Sequence, residues 1–279
     1  MKKRYVTLFI AIFAATGFFC SCNEKAAKQG ALEFDNIRLA FTEHLFGDTL
    51  APACNLTIDY AYPVKSSQKE LLDSINKLFV AECFDMEYTE QKSAKDVVRQ
   101  YAKAYTNNYR NEVEQTYLEN KKYDEDEDTT VTIDEWYSYT QTIKSNVQYY
   151  KGNLLVYRID KEEYTGGAHG IYVSYFLNIN LTQMRPLYLK DICKINDYKE
   201  LLTDLLWNQL MADNHVATRE ELEEMGYGVT GDLTPSENFY LGEDGITFYY
   251  NVYEFTPYAM GPVEIRLPYE TVKHIINLE

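Results

Sequence analysis

Two short segments of the 279-residue chain carry the residue types best suited to recognition or chemistry. The first, Tyr164-Thr165-Gly166-Gly167-Ala168-His169-Gly170, sets three glycines and one imidazole between two strongly alternating runs. Glycines so placed make a tight, exposed connection and let backbone approach a ligand closely. The second, Tyr249 to Pro262, is aromatic, interrupted by Pro257 and closed by Gly261. Exposed rings such as Tyr253 and Tyr258 can stack on sugars or anchor a protein interface. The candidate ligand contacts are therefore Gly166, Gly167, His169, Tyr253, Pro257 and Tyr258. Turn chemistry alone is the plainer account of both segments.

Other motifs lose their meaning in context. Gly226, Gly228 and Gly231 satisfy G-x-G-x-x-G, but they follow a predicted helix and run into Pro235, so the strand-turn-helix frame of a phosphate site is missing. Ser66 and Lys69 form S-x-x-K without the companion motifs of a serine acyl-enzyme. Asp124, Asp126, Asp128 and Glu135 place oxygens as an EF-hand loop does, yet Thr129 stands where the turn glycine belongs and strand-like sequence follows. A solvated acidic loop is the simpler reading. His44, His169, His215 and His274 form no short metal-binding pair. Acids such as Asp73, Asp85, Glu162, Glu163, Asp244 and Glu254 could supply a two-carboxylate site, but nothing selects one pair among 43. No metal, cofactor or catalytic residue is assigned.

The elements that must position these loops follow from periodicity. Phe34 to Leu45, and Leu56, Ile58 and Tyr60, alternate as half-buried strands. Ser67 and Glu70 form a capping box ahead of Leu71, Leu72, Ile75, Leu78, Phe79 and Cys83, one helical stripe. A second helix begins near Ser93 with Val97, Tyr101, Tyr105, Tyr109, Val113 and Tyr117 in steps of four. Such a row drifts by about 40° per step, which reads as core packing with phenol tips reaching water. From Trp136 the period becomes two, through Ile143 to Tyr149, Leu155 to Ile159 and Ile171 to Leu181. A helix from about Asp197 to Ala212 and a short acidic one capped by Thr218 follow. Strands at Ile246 to Val252 and Val263 to Leu267, and a closing helix from Tyr269 to Asn277, complete the chain. Helices and strands do not alternate regularly, so the fold class is α+β, antiparallel sheets with packed helices.

Composition bounds the function. Charged residues make up 25% and hydrophobic ones 46%, an ordinary globular balance. A net charge of −16 argues against a nucleic-acid partner, which needs clustered cations. Lys2, Lys3 and Arg4 precede an apolar run from Tyr5 to Phe19, the order of a secretory signal. Phe19-Cys20-Ser21-Cys22 and the polar stretch after it resemble the processing site of a bacterial lipoprotein, with Cys22 as the lipidated residue. The expected organisation is a signal peptide over 1–21, a linker over 22–30, and folded domains over 31–180 and 181–279. An acyl anchor in the outer membrane, periplasmic or surface-exposed, is the expected location. Cys54, Cys83 and Cys193 remain, an odd number that permits one disulfide or three small buried residues.

The stretches Tyr164-Thr165-Gly166-Gly167-Ala168-His169, Phe176 to Leu181 and Leu187 to Ile192 resemble the domain beside the catalytic domain of PdaC-type peptidoglycan deacetylases. Asp244 to Tyr250, Tyr253-Glu254, Pro257-Tyr258-Ala259, Gly261-Pro262 and Leu267-Pro268-Tyr269 are similar to the RsiV-like C-terminal domain, which in lysozyme-sensing anti-sigma factors binds lysozyme. The catalytic domain of the first family, and the sigma-binding segment and membrane span of the second, have no counterpart here, so neither activity transfers. The resemblance implies a PdaC-like region followed by an RsiV-like domain, in a non-enzymatic envelope binding protein. Its partners would be peptidoglycan fragments or a basic, lysozyme-like protein. The competing class is an envelope glycan hydrolase using His169 with a nearby carboxylate as acid and base.

Overall fold

The computed structural model of the chain describes residues 31–87, 92–121 and 133–277. The signal segment, Cys22, the linker and most of the EF-hand-like run, Asp124, Asp126 and Asp128 included, lie outside them. The chain forms two compact units that interleave: unit 1 holds the N-terminal residues to Ser145 and 160–171, and unit 2 holds 146–159 and 172 to the C-terminus. The hairpin of β3 (Tyr139–Lys151) and β4 (Leu154–Tyr164) contributes residues to both, so no single cut separates them.

In unit 1, β1 (Glu33–His44) pairs antiparallel with β2 (Ala53–Lys65), Leu39 facing Ile58. β2 then pairs with β3 in parallel, Ile58 opposite Ile143, a parallel partnership within the antiparallel-dominated α+β fold that the sequence predicts. A parallel neighbour requires a crossover. Here it is built from α1 (Lys69–Phe84) and α2 (Ala94–Asn120). Both helices bury an apolar stripe, Leu71, Ile75, Phe79 and Cys83 on α1 and Val97, Tyr109, Val113 and Tyr117 on α2. α1 starts one residue later than the Ser67-Glu70 box predicts, with Gln68 at an N-cap position that no side chain caps. α2 has the full box: Ser93 accepts from the Asp96 N–H and Asp96 accepts from that of Ser93.

The tyrosine row of α2 wraps into the core as its spacing predicts, but three of its four tips meet protein groups, and the buried Tyr105 hydroxyl meets none among the described residues. Tyr101 donates to Gln141 Oε1 at 2.6 Å, Tyr109 to the Tyr137 carbonyl at 2.8 Å, and Tyr117 to Asp134 Oδ1 at 2.7 Å. Asp134 belongs to a short helix, α3 (Ile133–Trp136), that periodicity does not reveal. Burial pushes the Tyr101 hydroxyl up to about 12 and the Cys54 thiol up to about 11. Cys54, Cys83 and Cys193 are all free thiols, the first two buried.

Unit 2 contains β5 (Ile171–Asn180) and the two-residue β6 (Arg185–Pro186), which pairs with its end. A separate sheet has the order β7 (Phe239–Leu241), β8 (Gly245–Tyr250), β9 (Val263–Pro268), all antiparallel. Between the two come α4 (Leu189–Ile192), α5 (Tyr198–Asp213) and α6 (Arg219–Glu224). Ile246, Phe248 and Tyr250 of β8 share a core with Leu202, Leu206 and Leu210 of α5. The opposite face, Thr247 and Tyr249, alternates as a solvent face would, yet it too is buried. β5 supplies that cover: Phe176 packs on Tyr240 and Tyr249, with ring centroids 4.7 and 5.3 Å apart. The closing helix, α7 (Tyr269–Val272), stops well before Asn277, because the backbone after it pairs with residues 192–194. Asn277 N–H donates to Ile192 and the Lys194 N–H to Ile275.

Three asparagine amides fasten β5 to the second sheet. Asn178 donates to the Phe239 carbonyl at 2.7 Å and accepts from the Leu241 N–H at 2.8 Å. Asn238 accepts from the Phe176 N–H at 3.0 Å and donates to the Ser174 carbonyl at 2.8 Å. Asn251 accepts from the Ser174 N–H at 2.7 Å and donates to the Ser174 carbonyl at 3.3 Å. Each side chain reproduces the donor and acceptor of a peptide group, so strands that form no common ladder still satisfy their buried backbone.

Two outcomes follow. Asn178→Ala orphans a buried N–H and a buried C=O, and stability falls by about 2–4 kcal/mol, read as a lower urea midpoint; a change under 0.5 kcal/mol would contradict the clamp. Peptide mapping after a thiol reagent at pH 8 should find Cys54 and Cys83 unmodified in the folded protein and modified in denaturant; rapid native labelling of Cys54 would contradict its burial.

Candidate functional site

The glycine-rich loop lies in unit 1, between β4 and β5. Gly166 and Gly167 take φ of 91° and 96°, the region open to glycine. A Cβ on Gly166 would stand 2.5 Å from the Trp136 carbonyl oxygen, so this glycine seats the loop against the end of α3. Tyr164 ties the loop from inside by donating to the Gly167 carbonyl at 3.0 Å. His169 is exposed, and its Nδ1 lies 2.9 Å from the Gly170 carbonyl. That contact makes Nδ1 the protonated nitrogen of the neutral ring and leaves Nε2 as an acceptor. The imidazole thus stands at the surface and bonds to its own loop, whereas a hydrolase reading would place it beside a carboxylate in a deep cleft.

Trp136, half exposed at 50%, stands beside this loop through its backbone. Sequence reasoning missed it as a site residue. It closes an acidic run, and that isolation was the available signal.

The second loop lies in unit 2. After β8 the chain turns at Asn251, whose N–H donates to Glu254 Oε2 at 2.8 Å. The Tyr253 N–H donates to the Thr256 carbonyl at 3.0 Å and Thr256 Oγ1 to the Gly261 carbonyl at 2.9 Å. Phe255 is fully buried, ringed by Trp207, Tyr227 and Tyr250 with centroids 5.7–5.9 Å away. The loop is thus pinned by one core aromatic, worth about 1.5–3 kcal/mol of burial.

Its neighbours point outward. Tyr253 is 46% exposed and holds φ of 70°, a conformation that costs a bulky residue about 1–3 kcal/mol. Its ring packs on Tyr258 at 5.7 Å, and Tyr258 packs edge-on against Tyr172 of β5 at 5.6 Å. The structure therefore brings Tyr253 and Tyr258 together, beside the half-buried Pro257, and adds Tyr172. Tyr172 escaped sequence reading because, as an alternate residue of a strand, it looks like any other. The result is a row of three contacting rings at the surface of unit 2. Chemically it offers π faces and phenol hydroxyls, a set suited to sugar rings, peptide planes or cationic side chains.

Among the described residues no group of acids, histidines and cysteines could hold a metal ion, and no helix is long and apolar enough to cross a membrane. Comparison with known proteins places the chain. A family model described as deacetylase PdaC matches residues 53–172, and one described as a protein of unknown function, DUF3298, matches residues 190–270. They occur in the order that the two resemblances imply. A crystal structure of a DUF3298 family member from Bacteroides fragilis is 56% identical, with a TM-score of 0.83 over 89% of this chain and 95% of that one. A DUF3298 family protein from Pseudomonas aeruginosa PAO1, at 16% identity and a TM-score of 0.59, covers 90% of this chain and 96% of its own, a likeness of fold. No curated protein matches. With an α+β fold, that domain order and a relative of this identity along almost its whole length, the chain belongs to the DUF3298 family.

Proposed function

We propose that the protein is a non-enzymatic binding protein of the cell envelope, held at the outer membrane by an acyl chain on Cys22. Its ligand is a cell-wall glycan or a protein such as lysozyme. The observation that carries this reading is the row Tyr172, Tyr258 and Tyr253, whose exposed end keeps a tyrosine in a backbone conformation that glycine would adopt freely. Strain retained at an exposed aromatic points to use of that ring outside the fold. The buried Phe255 and the Asn251–Glu254 turn hold the row in place before any ligand arrives, which lowers the entropy cost of binding. The excess of acidic residues suits a basic protein partner, through attraction that speeds encounter and weakens with salt. The loop of Gly166, Gly167 and His169, with Trp136 beside it, is a second candidate contact of the same character in unit 1.

Titration of the purified protein with lysozyme and with soluble peptidoglycan fragments, at low and physiological salt, tests the reading. Saturable binding to one of them that survives physiological salt is expected. Replacing both Tyr253 and Tyr258 by Ala should weaken it tenfold or more, about 1.4 kcal/mol, while leaving cooperative unfolding intact. No saturable binding to either ligand, or full affinity in the double variant, would overturn it.

Tyr253→Gly separates binding from folding. Removing the positive-φ strain should leave the melting temperature unchanged or raise it, while affinity falls with the lost ring. A clear drop in melting temperature would mean that the ring serves the fold instead.

A further inference from the structure

Unit 2 contains a cleft of about 420 Å³ that neither aromatic loop lines. The tip of the β3–β4 hairpin gives it Lys151 and Asn153, the end of β5 and the turn after it give Asn180 and Gln183, and β6 gives Arg185. Leu154, Leu187, Ile192 and Leu241 supply apolar lining. Its size is that of a small-ligand site, and apolar surface with a few convergent polar groups is the usual build of one.

The charge is what sets the cleft apart. The whole chain carries −16, but here Lys151 and Arg185 face a single acid, Asp191. Asp191 is already committed: it accepts from Arg185 Nη1 and Nη2 at 3.0 and 3.1 Å and from the Tyr188 N–H at 2.9 Å, which holds its carboxyl below the usual carboxylate range. Arg185 Nη1 also donates to the Pro186 carbonyl at 2.9 Å. The guanidinium is thereby fixed by one edge. Its Nε–H and the remaining Nη2 hydrogen, the other edge, donate to no acceptor among the described residues. That edge matches the two oxygens of a carboxylate. Lys151 comes no nearer an acid than 3.8 Å from Glu243, both side chains more than 70% exposed, a pair worth little. The Asn153 and Gln183 side-chain amides likewise bond to nothing among the described residues, leaving donors and acceptors of the kind that read sugar hydroxyls.

We propose that this cleft binds a carboxylate-bearing saccharide, the free edge of Arg185 taking the carboxylate with Lys151 in support and the amides taking hydroxyl groups. It rests on residues other than the tyrosine row, so the two readings stand or fall separately.

The test is titration of the purified protein, followed by calorimetry or amide chemical shifts, with glucuronic acid and N-acetylmuramic acid as probes and N-acetylglucosamine and acetate as controls. Saturable binding of at least one acidic sugar, tenfold or more tighter than either control, is expected. Lys151→Gln should weaken it severalfold. Arg185→Lys, which keeps the charge but loses the fork, should weaken it tenfold or more. Because Arg185 also steadies Asp191, Lys151→Gln and Gln183→Ala serve as variants with no role in the fold. Absence of binding at millimolar sugar, equal affinity for the neutral sugar or for acetate, or undiminished binding in Lys151→Gln and Gln183→Ala together would each overturn the proposal.

Discussion

A strand buried against a second sheet, without sharing its ladder, has peptide groups that neither water nor a neighbour satisfies, and unit 2 resolves this with side-chain amides. Asn178, Asn238 and Asn251 pair with the backbone of Ser174, Phe176, Phe239 and Leu241 in the pattern peptide groups would use. Each unpaired buried group would cost about 1–3 kcal/mol. The clamp lets β5 cover the Thr247 and Tyr249 face of β8, so that β8 is buried on both sides. It also fixes the two ends of the tyrosine row. Tyr172 precedes Ser174 by two residues on β5, and Asn251 is the residue from which the Tyr253 loop departs.

With both ends fixed, the loop divides its rings by depth. Phe255 goes into an aromatic core and Tyr253 is pushed to the surface at positive φ. One residue supplies the anchoring burial and its near neighbour bears the strain, an arrangement in which local cost is offset by global packing. Unit 1 uses the same economy in a different way. Its long α2 buries tyrosines whose hydroxyls end on Gln141, Tyr137 and Asp134. In these three a polar tip on a large ring fills core volume and still finds a partner, whereas the buried Tyr105 hydroxyl meets none among the described residues.

Much of this was legible beforehand, and the exceptions share a cause. The 3.6-residue stripe of α1, the Ser93 cap of α2, the Thr218 cap of α6 and the period-two runs of β3, β4, β5, β8 and β9 all record local geometry, and local geometry is what periodicity reports. What long-range contacts decide was not legible. The parallel partnership of β2 and β3 depends on where α1 and α2 return the chain. The burial of Thr247 and Tyr249 depends on β5, more than 60 residues earlier, and the early stop of α7 on the backbone of residues 192–194. The Tyr253 and Tyr258 segment was recognisable as an unusual loop. That Phe255 belongs to the core, and that Tyr172 completes the row, required the fold. The Arg185 cleft had no sequence signature, because its polar lining comes from separate stretches of the chain, Lys151 and Asn153 on one turn, Asn180, Gln183 and Arg185 around another, and Asp191 on α4.

The central claim is that unit 2 presents a recognition loop already held rigid by the asparagine clamp. Amide hydrogen exchange of the protein, alone and saturated with lysozyme or peptidoglycan fragments, tests it most directly. The account predicts that the Ser174, Phe176 and Leu241 N–H groups are among the slowest to exchange even without ligand, and that added ligand slows exchange chiefly over residues 251–261. Rapid exchange at Ser174, Phe176 and Leu241 in the free protein, or ligand protection that leaves 251–261 untouched, would contradict it.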